Sequence, residues 1–146
     1  MAALRIEDEQ LEQLSELIAE MRDDNRHQEI LKSEEADRRF HELIASSTQN
    51  SGMIAAVQML WDARARSPQS HLMDDKSRAR GLKPPIDEHT AILRALKRRD
   101  PDAARLAMRE HISRVIEDML EVTEVEEVKR ARAVAAEKRR RYSLRD

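Results

Sequence analysis

From Pro101 to Asp146 the chain carries neither Gly nor a further Pro, and its only two Gly and four Pro all fall between Gly52 and Pro101. The segments on either side therefore lack the strongest helix breakers. Aromatic residues make up 2 % of the sequence, and no run of alternating β-branched residues is present, so nothing predicts a sheet. The expected fold class is all-α, an antiparallel helical bundle with a long C-terminal helix.

Apolar spacing predicts the individual helices. Leu11, Leu14, Leu17, Ile18 and Met21 recur at intervals of three and four, giving a first segment from about Glu7 to Asp24. A second is expected after Ser33, read as its N-cap with Glu34 and Glu35 in the first turn, and turns Ala36, Phe40, Leu43 and Ile44 inward. The polar stretch from Ser46 to Gly52 breaks the pattern. Asn50 or Ser51 could then cap a third helix through Ile54, Val57, Leu60 and Trp61, with Trp61 expected in the core. Asp62 to Lys83 reads as a loop with at most one short helix. Pro84 and Pro85 suit a helix entrance for Ile86, His89, Ile92, Leu93 and Leu96. Asp100 and Pro101 then look like the N-cap and first residue of the long helix, with Ala104, Ala107, Met108, His111, Val115, Met119 and Val122 as its buried stripe. Beyond Leu120, acidic residues give way to Lys129, Arg130, Arg132 and the run Lys138 to Arg141. That order suits the helix dipole and permits a pair such as Glu126 with Arg130.

A chain of 146 residues suffices for one core without staples, and the absence of Cys fits a reducing cytoplasm. No apolar run could serve as a signal sequence or membrane span, so a soluble, cytoplasmic protein is expected. A net charge of -2 argues against a surface built wholly to hold nucleic acid. The arginines near Tyr142 could touch it, but a solvated helix end is the simpler reading.

Asp37, His41, His89 and His111 each fall on the apolar face of a predicted helix, where an ionisable side chain needs a buried partner. Asp37 and His41 are four apart and project from one face, a spacing that lets two groups grip one metal ion. His89 lies three, four and seven residues before Ile92, Leu93 and Leu96, and His111 follows Met108 by three and Ala107 by four. Both imidazoles therefore point towards the core. Helical bundles bring such residues together from facing helices. One carboxylate and three imidazoles suit a divalent transition metal, with Zn first and Ni, Fe or Mn as alternatives. A lone His in an apolar stripe is ordinarily a hydrogen-bonded core residue, so spacing by itself leaves both readings open. His27 and His71, in polar surroundings, read as surface residues.

The residues carry more than their spacing. The run Ala36-Asp37-Arg38-Arg39-Phe40-His41-Glu42-Leu43-Ile44-Ala45, then Asn50, then Glu88-His89-Thr90-Ala91-Ile92-Leu93-Arg94-Ala95-Leu96, Asp100, Ala103-Ala104 and Ala107-Met108-Arg109-Glu110-His111 closely resembles the FCD domain. This is the C-terminal effector-binding module of the FadR subfamily of GntR-type bacterial transcription regulators. The likeness covers about Glu7 to Leu120. It implies an antiparallel bundle that binds a metal through an Asp and three His, matched here by Asp37, His41, His89 and His111. It further implies that the metal helps to hold a small organic acid, and that the response passes to a winged helix-turn-helix on DNA. Asn50 falls in the turn after the family's Asp/His helix, where capping is the plain account and effector contact the bolder one.

Two features depart from the family pattern. The chain is expected to lack the winged helix before Glu7 and the family's first helix, so 1–120 is expected to be the metal- and effector-binding bundle and 121–146 a charged helical extension. Apolar surface left by the absent helix predicts a homodimer. A metal-dependent hydrolase on the same ligands, or a structural helical dimerisation module, are the competing classes. His41-Glu42 does not extend to a zinc-protease motif, because Ala45 stands where the second His is needed. No Glu-x-x-His pair suggests a di-iron oxidase.

Overall fold

The computed structural model describes residues 1–143. Among the described residues it contains seven helices and no strand: α1 (Ala2–Arg5), α2 (Asp8–His27), α3 (Ile30–Ser47), α4 (Ser51–Arg66), α5 (Pro68–Ala79), α6 (Ile86–Lys97) and α7 (Pro101–Ser143). The expectations for Val122, the Glu126 pair, Arg141 and Tyr142 concern side chains outside the described ones. Among the described residues, no helix is long and apolar enough to cross a membrane.

Helix α2 starts where the sequence places it, with the Glu7 N–H donating to Gln10 Oε1 at 3.0 Å. Its leucine stripe is buried throughout, and α3 and α6 pack against it. Phe40 of α3 and Ile92, Leu93 and Leu96 of α6 complete the core with Ala3, Ile6 and Ala36. Phe40 has no exposed surface, a burial that stabilises by about 2–3 kcal/mol. The turn after α1 is tied down at both ends. Arg5 donates to the Thr48 carbonyl at 2.8 Å, and Arg99 reaches both the Ile6 carbonyl and Asp8.

Ser33 corrects the sequence reading. It lies inside α3, fully buried, because α3 begins a turn earlier and presents this residue to α2. Its hydroxyl donates to Asn25 Oδ1 at 2.9 Å, while Asn25 Nδ2 donates to the Pro84 carbonyl at 3.0 Å. These buried bonds anchor the entrance of α6 to the core. The expected loop from Asp62 to Lys83 is also largely helical, comprising the end of α4 and all of α5. The cause is local: the Ser67 hydroxyl accepts the Ser70 N–H at 3.3 Å, and Pro68 occupies the first turn.

Helix α7 opens as expected, with Asp100 Oδ1 accepting from the Asp102 and Ala103 amides at 3.1 and 3.0 Å. It runs through position 120 without a break. Of its predicted stripe only His111 is fully buried; Ala104, Ala107, Met108, Val115 and Met119 are half-covered. Helix α4 buries no residue fully, and Trp61 is half-buried rather than core. Its inner face borders open space.

Candidate metal centre

Three helices converge on that space. Asp37 and His41 project from α3, His89 from α6 and His111 from α7, and one ligand-type atom from each lies within 4.8 Å of all the others. The imidazoles are packed ring to ring: centroids are 5.1 Å apart for His41 and His111, 4.7 Å for His89 and His111, and 5.5 Å for His41 and His89. Phe40 meets His89 edge-on at 4.9 Å and closes the core side. All four residues singled out in the sequence are thus together.

The hydrogen bonds fix the chemistry. His89 Nδ1 lies 2.7 Å from the Pro85 carbonyl, which only accepts, so that nitrogen carries a proton. Its Nε2 lies 2.6 Å from Asp37 Oδ1, and His41 Nε2 lies 3.5 Å from the same oxygen. With neutral His89, a lone pair and a carboxylate would face each other across that 2.6 Å. A contact this short needs a proton between the two atoms, so without a metal His89 pairs with Asp37 as the imidazolium. Burial opposes charge on Asp37, but hydrogen bonds from His41 and His89 outweigh it and hold the carboxyl below the ordinary carboxylate range. Burial likewise opposes the His89 imidazolium, but the bond to Asp37 and its charge win, and the pKa rises. His111 moves the other way. Burial lowers its pKa, and the hydrogen bond to Glu88 does not offset burial together with the charges of His89 and His41.

The donor set fits a transition metal. Atoms bonded to one ion at about 2.0–2.2 Å lie no more than about 4.4 Å apart, so a small inward adjustment suffices. Asp37, His41 and His111 also line a cavity of about 660 Å³. Its walls are mainly apolar, with Met53, Val57, Leu60 and Trp61 from α4 facing Met108, Ile112 and Val115 from α7. Arg64 adds charge to the wall; its guanidinium lies 5.5 Å over Trp61 and pairs with Asp74 of α5 at 2.6 Å.

Asn50 caps α4, its Oδ1 accepting the Met53 amide at 3.1 Å, and Thr48 and Met53 beside it reach the cavity. Asn50 itself is not among the lining residues. His27 and His71 are exposed. Sequence reasoning missed Arg64, which fell in the polar stretch read as a loop, and assigned Trp61 to the core rather than to the cavity wall. It also gave no role to Glu88, whose Oε2 lies 2.9 Å from His111 Nδ1.

Residues 1–114 match the FCD domain, and the chain belongs to that family. The chain is 36% identical to the Exu regulon transcriptional regulator of Escherichia coli (strain K12) over 87 residues, which are 60% of this chain and 34% of that protein. It is 35% identical over 101 residues to the Uxu operon transcriptional regulator of the same strain, covering 66% and 38%. A Uxu operon regulator of Haemophilus influenzae is 30% identical over 110 residues, covering 70% and 41%. The chain thus spans about a third to two-fifths of these relatives. The two Escherichia coli relatives are transcriptional regulators. No solved structure matches the chain.

Proposed function

We propose that this chain is the ligand-sensing domain of a GntR-type bacterial transcription regulator, holding a divalent transition metal, Zn first, on Asp37, His41, His89 and His111. The convergence of one ligand-type atom from each of these four residues, from three helices, to within 4.8 Å of one another carries the reading. When bound, the metal supplies positive charge and open coordination positions that accept a carboxylate oxygen. The effector is then a small organic acid, its carboxylate directed to the cluster end of the cavity and its body against the apolar walls. Asn50 contributes through the cap that sets the α3–α4 turn. Positions 1–120 form the sensing bundle, and 121–146 are a charged extension, helical as far as Ser143.

The output is a shift in population. An acid that prefers one arrangement of α4 and α7 over another favours that arrangement by its difference in affinity. DNA is contacted through a winged helix-turn-helix outside these residues, in a cytoplasmic homodimer. Support for self-association is the exposed row Ile112, Ile116 and Leu120 on α7, together with Met59 and Leu60 on α4. Light scattering at high concentration should return a mass above the 17.0 kDa of one chain. A monodisperse monomer counts against it.

Metal analysis tests the centre. The purified chain should carry close to one transition-metal ion, and Asp37→Ala and His89→Ala should lose it. Equal, negligible metal in all three would reject the site.

A further inference from the structure

We infer that Glu88 is a positioning residue for the cluster: its carboxylate decides which nitrogen of His111 faces the other three groups, and Arg114 steadies the carboxylate. This rests on the metal-centre reading above.

A neutral imidazole has one donor and one acceptor nitrogen, and only the acceptor can ligate. Glu88 Oε2 stands 2.9 Å from His111 Nδ1. A carboxylate only accepts, so the ring proton belongs on Nδ1 and the Nε2 lone pair is left for the cluster. His111 is buried, leaving water little access to replace that partner. His89 reaches the same state through the Pro85 backbone carbonyl, which no side-chain substitution removes. For His111 the task falls to a side chain. Glu88 Oε1 is in turn paired with Nε of Arg114, one turn beyond His111 on α7. Each oxygen of Glu88 thus has its own donor. A carboxylate so fixed orients a metal-ligating imidazole and raises its basicity. Glu88 is also next to His89 in sequence, so one side chain ties α6 to α7 at the level of the ligands. Formation of α6 does not depend on it, because Asp87 supplies negative charge in the same first turn.

The test uses the full chain and zinc alone. Affinity is measured by competition with a chromophoric chelator for the parent, Glu88→Ala, Glu88→Gln, Arg114→Ala and Glu20→Ala. The last removes an ion pair with Arg39 that touches no ligand. Imidazole ¹⁵N spectra of the metal-free proteins report the tautomers. Glu88→Ala should weaken zinc binding by about 10–100-fold. Glu88→Gln keeps an acceptor oxygen and should recover much of that loss; Arg114→Ala should show a smaller loss, and Glu20→Ala none. His111 should carry its proton on Nδ1 in the parent and exchange between tautomers in Glu88→Ala. A tight-binding parent equalled by Glu88→Ala overturns the positioning role and leaves the metal reading intact. A parent that binds no zinc overturns both. Should Glu88→Ala fail to fold, the parent tautomer and Arg114→Ala decide: a proton on His111 Nε2, or unchanged affinity in Arg114→Ala, overturns the role.

Discussion

The contact between Asp37 and His89 makes the metal-free protein sensitive to pH in a definite direction. The folded-state pKa of Asp37 is depressed, so its contribution is present above the ordinary Asp value of about 3.9 and is lost as pH falls through the lower folded value. That of His89 is raised, so its contribution is full below about 6.5 and is lost as pH rises through the higher folded value. In the presence of chelator, the stability gap between the parent and Asp37→Asn should therefore be widest between about pH 4 and 6.5 and shrink on either side. Urea unfolding across this range measures it; a gap that keeps growing above neutrality would contradict the pairing. Zinc binding should weaken steadily towards acid, because the imidazoles must be free of protons to ligate.

At the scale of the element, the helices are set by their ends. Asp100 accepts from two amides at the start of α7, and Asp100→Ala should lower stability by about 1 kcal/mol, read as a lower thermal midpoint. Gln28 closes α2 with φ of 62°, in the left-handed region that glycine occupies at no steric cost. Caps written as Asp-Pro or Asn before an apolar run were legible in the sequence. Ser33 was not, because a serine before two glutamates has the same pattern whether it caps a helix or sits one turn inside it. Its burial against Asn25 comes from the packing of α2, which no local signal records. The Ser67-Pro68 start of α5 was present in the sequence but masked by the polarity of the helix it opens, whose residues give only a weak apolar stripe.

On the scale of the molecule, the core and the cluster share α3 and α6, so occupancy of the cluster is coupled to global stability. A ligand that binds only the folded state stabilises it by about 2.7 kcal/mol at a hundredfold excess over its Kd. Zinc should accordingly raise the thermal midpoint of the parent, chelation should reverse the rise, and Asp37→Ala should not respond. Helices α4 and α5 stand apart. They bury no residue fully, and α4 forms one wall of the cavity opposite α7. A wall with little buried surface opens at low cost, which suits entry of a ligand.

Helical character, the apolar stripes and the inward direction of Asp37, His41, His89 and His111 were determined by the sequence, because each depends on residues within a turn or two along one helix. The resemblance that places the chain in its family was legible there too. Tertiary structure alone decided that the four groups share one volume, that His89 and Asp37 meet at 2.6 Å, and that Arg64 and Trp61 face the cavity. Those facts depend on the rotation and depth at which separate helices pack, and helical periodicity fixes neither.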